Sequence, residues 1–226
     1  MKKLASSLTN MLLVLTLVSV VAAFLLAYVN NVTSKTIKSE EVKKEAEATK
    51  KVLSIENQEI YAKSDTIKDD KQDFILSFIH NMDSCFIGAT VKTTNKQGFG
   101  GDIEVLVGFD AEGKILGYEV LKHSETPGLG ARMNEWFRAV TSDEPVKVST
   151  ISKIFFGNPA PAGNHNIIGR DIAQGTLKVT KDGGDIDAIT ASTITSRAFL
   201  NAVNQAYEVY MKGEVTDANS GATAQN

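Results

Sequence analysis

Cysteine is nearly absent: the 226-residue chain has one, Cys85. A single thiol cannot close an internal disulfide, and it cannot by itself hold a multi-cysteine iron–sulfur or zinc cluster. It lies in DSCFIGA among apolar residues with no histidine nearby, so a buried, inert thiol is expected. Histidine is scarce too: His80, His123 and His165 are scattered, and no HExxH or other metal spacing occurs. A basic excess is missing. The 24 Lys and Arg face 27 Asp and Glu, for a formal charge of −3, which argues against nucleic acid as a partner. No GxGxxG joins a strand pattern to a helix pattern, so the chain shows no nicotinamide fingerprint.

What is present begins with a long apolar run. Met11 to Val29 reads MLLVLTLVSVVAAFLLAYV, without a charge. At 1.5 Å per residue it spans a hydrocarbon core of about 30 Å. Lys2 and Lys3 precede it, which keeps the N-terminus cytoplasmic and puts the bulk of the chain outside. Val21-Ala22-Ala23 offers small residues for signal cleavage, but the apolar run is longer than a signal h-region and continues past them, so an uncleaved anchor is expected. Asn30 to Ile55 is charged, with Glu40–Lys44 and Glu47–Lys51 at helical i, i+4 spacing, and reads as a solvated helix. Asn57 to Asp73 reads as polar and irregular.

From Phe74 the composition becomes globular. Phe86–Thr93, Asp102–Asp110 and Lys114–Leu121 are strand candidates, the last two joined by a hairpin signal at Ala111-Glu112-Gly113. HSETPGLGARM, with Pro127, Gly128 and Gly130, predicts a tight irregular loop. Asn134–Val140 reads as a short helix carrying the only Trp, Trp136, and Thr176–Thr180 as a strand before a turn at Lys181–Gly184. The succession strand, Gly-rich turn, strand, loop, helix occurs around Gly100-Gly101 and again around Gly183-Gly184, which suggests two related halves.

The segment Asp185–Tyr210 combines a β-like run at Ile186–Ile189, a hydroxyl cluster and a helix. Phe199, Ala202, Val203, Ala206 and Tyr210 repeat at helical period and predict one buried face. Thr195 or Ser196 can cap that helix. A hydroxyl-rich turn leading into a helix N-terminus suits an anion, because unpaired N–H groups and the helix dipole both favour negative charge there.

Taken together, GFGGDIEVLVGFD, KILGYEVLKHSETPGLG and GGDIDAITASTITSRAF resemble the FMN-binding domain found in the G subunit of the Rnf electron-transport complex. The C subunit of the sodium-pumping NADH:quinone reductase shares this domain and is the alternative membership. The resemblance covers the anchor and roughly Phe74 to Tyr210. It implies an α+β fold: a single N-terminal transmembrane helix followed by an FMN-binding domain of short strands and packing helices. The corresponding partition is 1–10 cytoplasmic, 11–29 transmembrane, 30–73 juxtamembrane helix and linker, 74–211 FMN-binding domain and 212–226 disordered tail.

In this family FMN is joined through its phosphate to a threonine within D-x-x-[ST]-G-A-T. The motif falls on Asp187 to Thr193, which makes Thr193 the implied acceptor. Ala191 and Ser192 depart from the usual Gly-Ala, so any need for glycine's backbone freedom is unmet. Thr190, Ser192, Thr195 and Ser196 are expected to donate to the phosphate oxygens. In the tail, Asp217 to Thr223 matches the consensus letter for letter, but no strand precedes it and no helix follows, so Thr193 is preferred over Thr223. The resemblance also puts the loop residues Glu125, Thr126, Gly128, Leu129 and Gly130 against the flavin. A structural role is expected for His123.

The implied function is electron transfer through covalent FMN, within an ion-translocating complex that moves electrons between ferredoxin and NAD. Implied partners are the other Rnf subunits, a flavin transferase during maturation and the lipid bilayer. The implied location is the bacterial inner membrane, with the soluble domain on the periplasmic side. A reading of another class is an anchored binding module without flavin.

Overall fold

The computed structural model describes residues 8–55, 60–69, 72–82, 85–138 and 164–221. The chain divides into two compact units, Met1–Ala46 and Glu47–Asn226. The first is made by helix α1, Leu8–Val52, whose last residues belong to the second unit. Its apolar stretch is long enough to cross a membrane and has no side chain buried within the protein. Further along, Glu40 pairs with Lys43, at i, i+3.

The second unit is built on five consecutive strands: β1 Ile60–Asp69, β2 Gln72–Asn81, β3 Phe86–Asn95, β4 Ile103–Phe109 and β5 Ile115–Lys122. They form one antiparallel sheet in the order β1-β2-β3-β4-β5. The α+β class is as expected. The two related halves are not observed among the described residues: their five strands come from a single run of chain, and the described segment around Gly183-Gly184 adds the isolated bridge Val179–Ile186. Asn57–Asp73, expected to be irregular, instead supplies β1 and the start of β2. The reason is positional. β1 is an edge strand, where charged side chains block further pairing, and those charges hide the strand period.

Alternation along β4 places Ile103, Val105, Val107 and Phe109 on one face, all fully buried. The helix that covers them, α3, is Thr193–Gly221. Its predicted face is the observed one: Phe199, Ala202, Val203, Ala206 and Tyr210 are fully buried. Tyr210 stacks on Phe109 with ring centroids 5.2 Å apart, and its hydroxyl donates to the Asp110 carbonyl at 3.0 Å. Phe199 stacks on Phe137 at 4.7 Å and meets Tyr118 edge-on at 4.9 Å. Such pairs add about 0.5–1.5 kcal/mol each beyond the area they bury. α3 begins at Thr193, two residues before the first of the expected caps, and continues to Gly221, into the segment expected to be a disordered tail.

The opposite face receives residues 47–55. Val52 sits over Gly108 and Gly117, where any Cβ would collide with it, and Leu53 packs with Ile55 and Ile79. Lys51 reaches Glu119 on β5 at 2.9 Å, and Arg138 grips the same carboxylate at 2.6 Å. Burial opposes ionisation of Glu119, but hydrogen bonds from Lys51 and Arg138 outweigh it and hold its carboxyl below the usual range.

Three further expectations meet corrections. Cys85 is exposed, because the apolar residues after it belong to β3 while it lies in the turn from β2. Thr176–Thr180 is not a strand: the Asn204 side chain on α3 bonds both the N–H and the C=O of Leu177 at 2.9 Å, replacing a neighbouring strand. The Trp-bearing helix, α2, is Met133–Trp136, short of the expected span, whose end lies outside the described residues.

Candidate functional site

Two segments remote in sequence meet at the start of α3. The first is the loop after β5. Its carbonyl at Thr126 accepts from the N–H groups of Leu129 at 3.1 Å and Ala131 at 3.3 Å, which coils 126–131 into a compact turn. Gly128 takes the left-handed conformation, φ +78°, that this turn demands. The second is 186–196. Ile186 and Ile189 are buried, and Trp136 donates to the Asp187 carbonyl at 2.9 Å.

Glu125 fastens the two together. It is buried, and one carboxylate oxygen accepts from the Thr195 hydroxyl at 2.7 Å, while the other accepts from the Gly100 N–H at 3.0 Å. Gly130 lies against this contact so closely that a Cβ there would overlap the Glu125 carboxylate. His123 supports the loop by accepting from the Glu125 N–H at 3.2 Å, in line with the structural role expected of it.

The hydroxyl cluster sorts into inward and outward members. Thr195 and Ser196 are fully buried, and their hydroxyl protons go to Glu125 and to the Ser192 carbonyl. Ser196 also accepts from the Ile189 N–H at 3.0 Å. These two therefore brace the turn and do not present hydroxyl protons to an anion, contrary to expectation. Ser192 is buried at the position before the helix, Thr190 is exposed, and Thr193 is half-buried with its hydroxyl outward enough to receive Lys181 Nζ at 3.4 Å.

Thr193 stands where two clefts meet. One, about 380 Å³, is lined by Phe99, Glu125, Thr126, Leu129, Gly130 and the start of α3. The other, about 400 Å³, is lined by Trp136, His165, Thr180, Lys181 and residues 187–191, and shares Ala191 and Thr193 with the first. The first nitrogens of a helix have no intrahelical acceptor. Among the described hydrogen bonds none takes the N–H groups of Thr193, Ile194 or Thr195, while that of Ser196 closes on Ser192. Ala191 has φ +61°, the left-handed region that glycine would occupy freely. Phe99 and Lys181 were not singled out from the sequence. Phe99 is an exposed aromatic inside a glycine-rich turn, which is the one signal available for it. Thr223 lies outside the described residues.

A flat aromatic group with a phosphate tail fits this arrangement. Free N–H groups and Lys181 lie at one point, and an apolar wall of Phe99 and Leu129 lies beside it. The FMN-binding domain family model matches residues 98–208, which contain both segments. A relative from Acetobacterium woodii, the G subunit of the Na(+)-translocating ferredoxin:NAD(+) oxidoreductase complex, is 32% identical over 207 residues, 88% of this chain and 89% of that protein. The chain belongs to the G-subunit family of Rnf-type ion-translocating oxidoreductase complexes. Two other members are the ion-translocating oxidoreductase complex G subunits of Shewanella amazonensis and Escherichia coli K12. The first is 34% identical over 123 residues, 53% of this chain and 46% of that protein. The second is 35% identical over 133 residues, 57% of this chain and 53% of that protein. This G-subunit family chain thus spans about half the length of these two and most of the Acetobacterium protein.

Proposed function

We propose that this chain is the membrane-anchored flavoprotein subunit of an Rnf-type complex, carrying FMN on Thr193 as a phosphodiester. Residues 11–29 form the anchor, and the domain from residue 74 to 211 carries the flavin, on the periplasmic side of the bacterial inner membrane. The partners are the other subunits of the complex and, during maturation, a flavin transferase. The observation that carries the reading is the position of Thr193: a half-buried hydroxyl at a helix N-terminus, shared by two clefts and within reach of a lysine. Unpaired helix N–H groups and a cation both stabilise a phosphodiester there. Bound FMN supplies redox chemistry in one- or two-electron steps, and the protein fixes its position and surroundings. Glu125, Gly128 and Gly130 shape the loop, Leu129 offers an apolar surface, and Thr126, Thr190 and Ser192 lie near enough to the junction to contact the flavin or its tail.

The test is in-gel flavin fluorescence after denaturation, followed by peptide mass spectrometry. Covalent flavin mass on the Thr193 peptide is expected, and its loss in Thr193→Val. A fluorescent Thr193→Val band with the mass on the Thr223 peptide would move the attachment to the tail. A wild-type band without fluorescence would favour a non-flavin binding module.

A further inference from the structure

We propose that Lys181 is the counter-ion of the flavin phosphate, a binding residue set by the turn before Asp185 rather than by the hydroxyl motif. The proposal rests on Thr193 as the attachment point.

On this side of the domain, among the described residues, Arg197 and Arg170 are each paired with a carboxylate, and Lys181 is not. Arg197 donates both to Asp182 Oδ1 and to Oδ2, each at 2.6 Å. Arg170 bonds Asp185 at 2.7 Å, and Asp185 also accepts from the Asn164 amide at 2.8 Å. The Asp187 carboxylate, which lines the same cleft as Lys181, accepts from the Asn164 N–H at 2.9 Å. Lys178 adds a further positive charge near Asp182. Lys181 alone turns to Thr193: its hydrogen bond among the described residues is the one to Thr193 Oγ1, at 3.4 Å. An ammonium facing a threonine hydroxyl without a carboxylate is a charge without a matching charge. An ionised phosphodiester built on that oxygen supplies it. Lysine suits this task as a mobile point charge with three donors.

The geometry that delivers Lys181 is local. Residues 180–182 form a 3-10 turn, closed by Gly183 at φ +80° and by the Gly184 N–H donating to Val179 at 3.1 Å. The Arg197–Asp182 pair ties that turn to the first part of α3. The backbone of Lys181 is therefore held beside the start of α3.

The test uses the full chain, flavinylated in a host with a flavin transferase and purified in detergent. It compares wild type with Lys181→Met, Lys181→Arg and Thr193→Val. The readout is the 31P resonance of the bound phosphodiester, with covalent flavin content by mass and the melting temperature. The expected result is a displaced 31P resonance in Lys181→Met that Lys181→Arg restores, with unchanged melting, since Lys181 is exposed. If Lys181→Met carries no flavin while Lys181→Arg does, the counter-ion role is likewise supported. A wild-type 31P resonance in a fully loaded Lys181→Met overturns it, as does a lowered melting temperature or a failure of arginine to rescue. Retention of covalent flavin by Thr193→Val overturns the attachment reading itself, which separates the two failures.

Discussion

Substituting alanine for Gly130 tests whether the candidate site is held by close packing between the loop after β5 and the start of α3. A Cβ at Gly130 would overlap the Glu125 carboxylate and lie 2.8 Å from Thr195 Oγ1 and 2.9 Å from Glu125 Cβ. Glu125 and Thr195 are 5% and 1% exposed, so neither has solvent to retreat into. Moving the carboxylate breaks a charge-assisted hydrogen bond of 2.7 Å, worth about 1.5–3 kcal/mol. Overpacking adds about 1–3 kcal/mol, and the stiffer unfolded chain of alanine returns about 0.4–1 kcal/mol. The net expectation is a loss of about 3 kcal/mol. At about 2–4 °C per kcal/mol for a chain of this size, the melting temperature falls by about 10 °C. Urea unfolding followed by the fluorescence of Trp136, the only tryptophan, measures it directly. Thr195→Val removes the same hydrogen bond without adding bulk. The double variant Gly130→Ala, Thr195→Val should then cost at least about 1 kcal/mol less than the sum of the two, because both act on one contact. A loss under about 0.5 kcal/mol for Gly130→Ala, or strict additivity, would refute the reasoning.

Ala191→Gly should stabilise the chain by about 0.5–1 kcal/mol, since glycine relieves the left-handed strain at φ +61° and gives back only part of it as unfolded-state entropy; a destabilised variant in the same urea titration would contradict this. Acid should weaken the anchorage of Glu119. Its folded-state pKa is lowered from 4.5, so its contribution is complete above that value and is lost as the pH falls through the lower folded value. The melting difference between wild type and Glu119→Gln should be largest near pH 7 and close as the pH falls through that lowered value. Asp182 and Asp185, also held low by their arginines, titrate alike in both proteins and cancel from that difference. A difference that stays constant as the pH falls from neutral through the carboxylate range would show that Glu119 is not ionised in its pair.

The amino-acid sequence by itself determined the long elements and the family resemblance. A 3.6-residue apolar period from Phe199 to Tyr210 has one outcome on a sheet, and an uncharged run from Met11 to Val29 makes one long helix. The strands β3, β4 and β5 were legible because they alternate and are separated by glycine turns. β1 was not, because an edge strand carries charges for reasons that concern its neighbours rather than its own period. Tertiary structure decided the rest of the site. Glu125 and Thr195 are 70 residues apart, and no local pattern announces that one hydroxyl will turn inward to the other's carboxylate while Thr193, two residues earlier, faces out. Lys181 reads in sequence as a turn lysine. Its reach to Thr193 depends on how the 3-10 turn is tied to α3. Local period fixes which residues form a helix or a strand, because it depends on neighbours along the chain. Which hydroxyl is buried and which is presented depends on what the other segments bring against it, and that is settled only when the sheet, the loop and the helix pack together.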